Sequence, residues 1–262
     1  MDAALHRQPR RRKFSSSLFR PAALINDDMS LLDDVRGILL DIEGTTTPIA
    51  FVHDVLFSYA RDHVREFLTA TAEQEEVRAD IALLRDEHAD DVNKDRNPPS
   101  LVADYVEWLI AADRKSTGLK SLQGKIWRQG YLDGSLKSQV FADVAPAFER
   151  WHARGLSINI FSSGSVLAQK LLFAHTEAGD LTRFIDDYFD TNVGKKGEAE
   201  SYRRIAEMMK LLEPEILFVS DVIDELNAAH EAGMRTLLSI RDGNAPQDNV
   251  KQYPAAHNFD QM

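Results

Sequence analysis

Cysteine is absent from the 262 residues, which excludes disulfides, thiolate metal sites and cysteine nucleophiles. The same absence fits a reducing compartment, and the expected location is cytoplasmic. No apolar run approaches the ~18 residues that a membrane span needs. Positive charge is scarce: 31 Lys and Arg stand against 42 Asp and Glu, for a net charge of −11. Nucleic-acid binders carry a basic surface, so neither nucleic acid nor membrane is expected as a partner. An acidic chain that handles a phosphorylated substrate needs a local correction, such as a metal ion, a lysine or a helix N-terminus.

The scarce positive charge is unevenly placed. Arg7, Arg10, Arg11, Arg12, Lys13 and Arg20 fall between Ala3 and Asn26, where there is no acidic residue, and Ser15, Ser16 and Ser17 lie among them. Residues 1–28 are expected to form a basic, disordered extension. The alternative is a targeting peptide, whose composition is also rich in arginine and serine and poor in acids. Met29 opens the globular pattern and is the alternative start.

From there the chain reads as α/β. Short apolar runs end in polar residues: Ile38 to Leu40 at Asp41, Leu156 to Phe161 at Ser162, Tyr188-Phe189 at Asp190, and Ile216 to Val219 at Ser220-Asp221. A fifth run spans Arg235 to Ile240. Near-continuous apolar strands separated by helical stretches predict a Rossmann-like parallel sheet covered on both faces. Helices are expected over Ser201 to Leu212, stopped by Pro214, and over Asp221 to Ala232, stopped by Gly233.

The gap between the first two strands is helical throughout. Its stripes are Val52, Val55, Leu56, Tyr59, His63 and Phe67; then Val77, Ile81 and Leu84; then Leu101, Val102, Tyr105, Trp108, Leu109 and Ala112, with Ser100 as N-cap. A crossover needs only one helix. The expected organisation is therefore a core domain of 29–50 and 141–262 interrupted by a helical cap domain of 51–140.

In open parallel sheets, ligands sit beyond the C-terminal ends of the strands. Asp41, Glu43, Ser162, Ser163, Asp190 and Asp221 should converge there. Carboxylates and hydroxyls on one rim suit a hard cation together with a phosphate.

These segments also carry a resemblance. Asp41-Ile42-Glu43-Gly44-Thr45-Thr46-Thr47 resembles the first motif of the haloacid dehalogenase superfamily, Phe161 to Ser165 the second, Lys196 the third-motif lysine and Ser220-Asp221 the fourth. The glutamate at position 43, with Thr45-Thr46-Thr47-Pro48-Ile49, is similar to the acireductone synthases, the enolase-phosphatases of methionine salvage. So are Phe51 to Leu68, Gln123 to Tyr131, Ser162 to Phe173 and Phe189 to Tyr202.

The resemblance implies a haloacid dehalogenase-like core and a magnesium-dependent bifunctional enzyme. Such an enzyme enolises 2,3-diketo-5-methylthiopentyl-1-phosphate and dephosphorylates it to the acireductone 1,2-dihydroxy-3-keto-5-methylthiopentene. It implies Asp41 as nucleophile, Lys196 as partner of Asp41 and the phosphate, and Ser162 and Ser163 as phosphate ligands at a helix opening at Gly164. Mg2+ would be held by Asp41, Asp221 and the backbone carbonyl of Glu43, whose side chain moves a proton. Lys196 is preferred to Lys195 on the family pattern, and a monomer is expected. Asp224 and Glu225 are read as supporting charge or as helix-dipole pairing, Gln123, Lys125 and Trp127 as cap candidates, and His53 and His63 as structural. The alternatives are another phosphomonoester phosphatase of the superfamily, a dehalogenase, or a binding module on the same fold.

Overall fold

The computed structural model describes residues 31–112, 114–246 and 252–262. The basic extension expected over residues 1–28 lies outside them. A six-stranded, all-parallel sheet forms the centre, in the order β3-β2-β1-β4-β5-β6. Its strands are β1 (Gly37–Leu40), β2 (Ser157–Phe161), β3 (Asp187–Phe189), β4 (Ile216–Ser220), β5 (Arg235–Ser239) and β6 (Ala255–Ala256). Five of the six coincide with the apolar runs. The two-residue β6 carries no periodicity of its own.

Side chains alternate across each strand, and each face builds its own core. Ile38, Leu40, Ile158, Ile160, Leu217 and Val219 point to one face, where they meet α5 (Val144–Ala153) and α6 (Val166–Ala174). Leu39, Phe161, Phe218 and Leu238 point to the other, against α7 (Ala199–Met209) and α8 (Ile223–Ala232). Both faces are covered, so β1 and β4 are buried along their whole length. No helix among the described residues is long and apolar enough to cross a membrane.

Between β1 and α5 stand a π-helix (Phe51–Phe57) and four α-helices, α1 (Ser58–Thr71), α2 (Glu75–Asn93), α3 (Val102–Ala111) and α4 (Thr117–Asp133). They pack on one another, and α4 also packs on α6 of the sheet layer. The first stripe differs from its expected course. Val52 and Leu56 are buried as expected, but Ala60 and Val64 replace Tyr59 and His63. The π turn takes more residues than an α turn, so the buried row is displaced to positions four residues apart where a 3.6 period placed Tyr59 and His63.

Helix ends differ by a few residues. Lys210 in the left-handed conformation (φ 57°) ends α7 before Pro214 is reached. Leu101, not Ser100, is the N-cap of α3. The N-cap of α8 is Val222, whose N–H is taken by the Ser220 hydroxyl at 3.1 Å. Gly233 ends that helix at φ 101°, as its sequence position suggested.

Candidate active site

The register sets the site. Leu40 pairs with Ile160 on one side and with Val219 on the other. The chain therefore leaves three adjacent strands at nearly one level, at Asp41, Ser162 and Asp221. Neighbouring strands lie ~4.8 Å apart.

Behind Asp41 the chain folds back on itself. The N–H groups of Thr45, Thr46 and Thr47 all donate to the Ile42 carbonyl, at 3.2, 2.9 and 2.9 Å. Gly44 makes this turn at φ 67°, and a Cβ there would lie 2.3 Å from Asp221 Oδ2. Only glycine permits both the conformation and the approach. The far end of β5 braces the turn: Ser239 Oγ and Asn244 Nδ2 donate to the Gly44 carbonyl (3.1 and 2.9 Å), and Arg241 Nε to that of Thr45 (3.2 Å). Arg241 is itself fixed on Asp143 at 2.9 Å.

Asp41 is buried, and the Lys196 ammonium donates to its Oδ1 at 2.6 Å. The same ammonium lies 2.7 Å from Glu225 Oε2. Burial works to lower the lysine pKa, but Asp41 and Glu225 outweigh it and hold the value above the ordinary one. Lys196 is therefore charged. Lys195 is exposed and pairs with Glu198 at 3.0 Å.

Asp221 is pushed up to about 7, first by burial and then by the charges of Asp41 and Glu225. Burial and Asp41 push Glu225 to about 7 as well, although Lys196 and the Ser220 hydroxyl (2.9 Å) pull it back. Three carboxylates thus share one ammonium, and the cluster is short of positive charge. A divalent cation fits this arrangement. Among the described residues no three His, Cys, Asp or Glu side chains gather into a ready-made metal cage. Two carboxylates, a backbone carbonyl and waters form the kind of oxygen set that magnesium takes. The Glu43 side chain instead reaches toward His53, whose Nε2 is 3.7 Å from Glu43 Oε2.

The loop after β2 departs from expectation. Ser163 is exposed, and α6 starts at Val166, not Gly164, with Ser165 as N-cap accepting from Ala168 N–H at 3.2 Å. The cause is Gln169, whose side-chain amide donates to the carbonyls of Gly164 (3.0 Å) and Phe189 (2.8 Å) and holds residues 162–165 as a turn. Ser162 is buried, and its hydroxyl accepts the Gly164 N–H at 3.1 Å. Asp190 holds its own turn through Asn192 N–H (2.9 Å) and faces Lys120 of α4 at 3.7 Å.

The structure thus brings together Asp41, Asp221, Lys196 and Ser162, with Glu43 on the adjoining turn. Asp224 is exposed, whereas Glu225 belongs to the cluster. Lys125 is occupied with Asp80 at 2.6 Å. Trp127 donates to the Leu56 carbonyl at 2.8 Å and stacks on Phe57. His63 stacks on Tyr59, to whose carbonyl its Nδ1 lies 2.8 Å. Arg241, Asn244, Gln169, Lys120 and the nearness of His53 to Glu43 escaped the sequence reading. Only the position of Arg241 and Asn244 just past the fifth apolar run hinted at a role.

The chain matches the haloacid dehalogenase-like hydrolase family over residues 35–233. It is 51% identical over 239 residues to enolase-phosphatase E1 of Synechococcus elongatus, across 89% of this chain and 100% of that one. Enolase-phosphatase E1 of Citrobacter koseri is 44% identical over 231 residues, across 87% of this chain and 96% of that one. Among solved structures, the UTR4 protein of Saccharomyces cerevisiae superposes with a TM-score of 0.71 at 35% identity, across 87% of this chain and 100% of that one.

Proposed function

This chain belongs to the enolase-phosphatase E1 family of haloacid dehalogenase-like hydrolases, and from that premise we propose that Asp41 is its nucleophile in a magnesium-dependent site roofed by residues 51–140. It is a bifunctional enolase-phosphatase of methionine salvage, converting 2,3-diketo-5-methylthiopentyl-1-phosphate to 1,2-dihydroxy-3-keto-5-methylthiopentene and phosphate.

Enolisation moves a proton from carbon 1 to the oxygen on carbon 2. Glu43 is the carboxylate assigned to that transfer, since its side chain stands apart from the Asp41–Asp221 pair. Asp41 then attacks phosphorus. The bond to the oxygen on carbon 1 breaks, an enolate leaves and an aspartyl phosphate forms, which water hydrolyses. An enolate is less basic than an alkoxide and needs less protonation as it leaves. Lys196 orients Asp41 and neutralises phosphate oxygens. Ser162, the exposed Ser163 and the amides before α6 supply donors to those oxygens.

Bound magnesium, held by Asp41, Asp221 and the Glu43 carbonyl, would offset the repulsion between a carboxylate and a phosphate dianion. The 2.6 Å contact from Lys196 to the buried Asp41 is the observation that carries the site assignment. The reading places a monomeric enzyme in the cytoplasm, acting on a small molecule and on neither nucleic acid nor membrane.

The test supplies the diketone phosphate with magnesium and follows phosphate release together with the ultraviolet absorbance of the enediol. Both signals should rise, and chelation of the metal should stop both. Phosphate release from many sugar phosphates, with no enediol from the diketone, would replace this reading with that of a general phosphomonoester phosphatase.

A further inference from the structure

Asp41, Lys196 and Ser162 act on a phosphoryl group, which every phosphate monoester carries. Selection of a vicinal diketone needs groups that meet the carbon chain. One side of α4 carries Lys120, Gln123, Gly124 and Trp127, at positions i, i+3, i+4 and i+7 of the helix.

That side meets the rim at two places and the π-helix at a third. The Lys120 ammonium lies 3.5 Å from Thr191 Oγ1 and 3.7 Å from Asp190 Oδ2, at the end of β3. Gly124 faces Leu167 and Ser165 at the start of α6, where a Cβ would make only ordinary contacts of 3.5 and 3.8 Å. Trp127 rests on Leu56 and Phe57 of the π-helix, which also carries His53 toward Glu43. The Lys120–Asp190 ion pair and the 3.7 Å approach of His53 to Glu43 are polar contacts between described residues that tie 51–140 to the rim.

Gln123 sits among these contacts. It is 7% exposed and makes no hydrogen bond to another described residue, yet its carboxamide is not sealed from solvent and so keeps its donors accessible. Lys125, on the opposite side of α4, is already committed to Asp80.

We propose that Gln123 and Lys120 are the specificity determinants of this enzyme, donating hydrogen bonds to the two adjacent ketone oxygens of the substrate. The carboxamide offers two N–H donors, and the ammonium has a third N–H beyond those turned to Asp190 and Thr191. Donors on these oxygens also favour the negative charge that enolisation develops, so their loss reaches kcat as well as KM.

The inference rests on the enolase-phosphatase reading. It is tested by comparing the diketone phosphate with p-nitrophenyl phosphate, which uses the same nucleophile and has no ketones. Q123L should lose about 10- to 100-fold in kcat/KM on the diketone phosphate and stay within about twofold of the wild type on p-nitrophenyl phosphate. Its thermal midpoint should move little, because the carboxamide makes no hydrogen bond to another described residue that leucine would remove. K120M should show the same selective loss with a larger share in kcat, and K120R should recover part of it. Equal losses on both substrates, or none on the diketone phosphate, would overturn the proposal. A wild-type enzyme that hydrolyses p-nitrophenyl phosphate and makes no acireductone would instead overturn the functional reading beneath it.

Discussion

Asp91, inside the helical segment, and Asp41, at the sheet rim, are both almost fully buried, but they are neutralised in opposite ways. Asp91 receives Arg96 at 2.7 Å, Arg114 at 3.1 Å and the Tyr105 hydroxyl at 2.9 Å. Burial pushes its pKa up, and those three donors outweigh the push and hold it below the ordinary value. Two cations serve one carboxylate. At the rim the ratio is reversed: Asp41, Asp221 and Glu225 share Lys196 alone, and two of the three rise to about 7. The Asp91 cluster is complete within the protein and serves stability. The rim cluster lacks positive charge, and that deficit is what a metal ion would fill. Shifted carboxylates at a strand end are the mark of a functional site when their imbalance is real.

Replacing the rim carboxylates should break function before fold. D41N is expected to lower turnover by roughly 10⁴-fold or more. The thermal midpoint should move little, because a neutral isostere also relieves repulsion on Asp221 and Glu225. Steady-state kinetics and a melting curve on one preparation check both halves. G44A should come next, at about 10²-fold in kcat/KM. Its Cβ would strike Asp221 Oδ2, and its φ of 67° strains any L side chain. Full activity in G44A would mean that Asp221 need not stand where the turn places it.

The rim is legible in the sequence for a topological reason. In a parallel sheet, the residue that ends each apolar run lies at the same edge, so Asp41, Ser162 and Asp221 could be placed without knowing any helix. Lys196 needed the resemblance, since spacing alone does not separate it from Lys195. The π turn at 51–57 was not legible, because its extra residue per turn leaves no mark on a pattern sampled at 3.6 residues. With that turn unseen, the approach of His53 to Glu43 was hidden too. Arg241, Asn244 and Gln169 act through hydrogen bonds to backbone carbonyls of distant segments. Such bonds follow from the folded path of the chain and not from any local pattern. Lys120 was overlooked for the same reason: its partner Asp190 is 70 residues away along the chain.

Proton linkage sharpens the contrast. Asp221 has a raised pKa when folded, so the folded metal-free protein binds that proton more tightly than the unfolded chain. Its favourable contribution is complete below about pH 4 and is lost as pH rises through about 7. In chelator, D221N should therefore melt close to the wild type at pH 5 and above it at pH 8, a gap on the order of a few kcal/mol. Magnesium should close that gap by raising the wild type alone. A gap that does not grow with pH would show that Asp221 is not crowded by its neighbours.

Asp91 should behave in the opposite sense. Its depressed pKa contributes stability above about pH 4, and that contribution disappears as pH falls through the lowered value. D91N should cost about 2 kcal/mol at neutral pH, a figure kept modest because Arg96 and Arg114 are partly exposed and screened. The deficit should shrink in acid, and kcat per folded molecule should hold. Urea titrations at pH 7 and pH 3.5 give the comparison directly.

The smallest effect is expected at Tyr202, a buried ring packed edge-on against Phe161 and Phe218. Its hydroxyl donates to the Lys196 carbonyl at 2.7 Å. Y202F keeps the ring and removes one hydrogen bond, so about 1 kcal/mol of stability should go. Turnover should fall only a few-fold, because the Lys196 ammonium remains held from its far end by Asp41 and Glu225. If charge at the rim governs catalysis, a backbone support such as this must matter far less than Asp41. A Y202F enzyme as inactive as D41N would mean that the placement of the lysine, and not the carboxylate imbalance around it, is what limits the reaction.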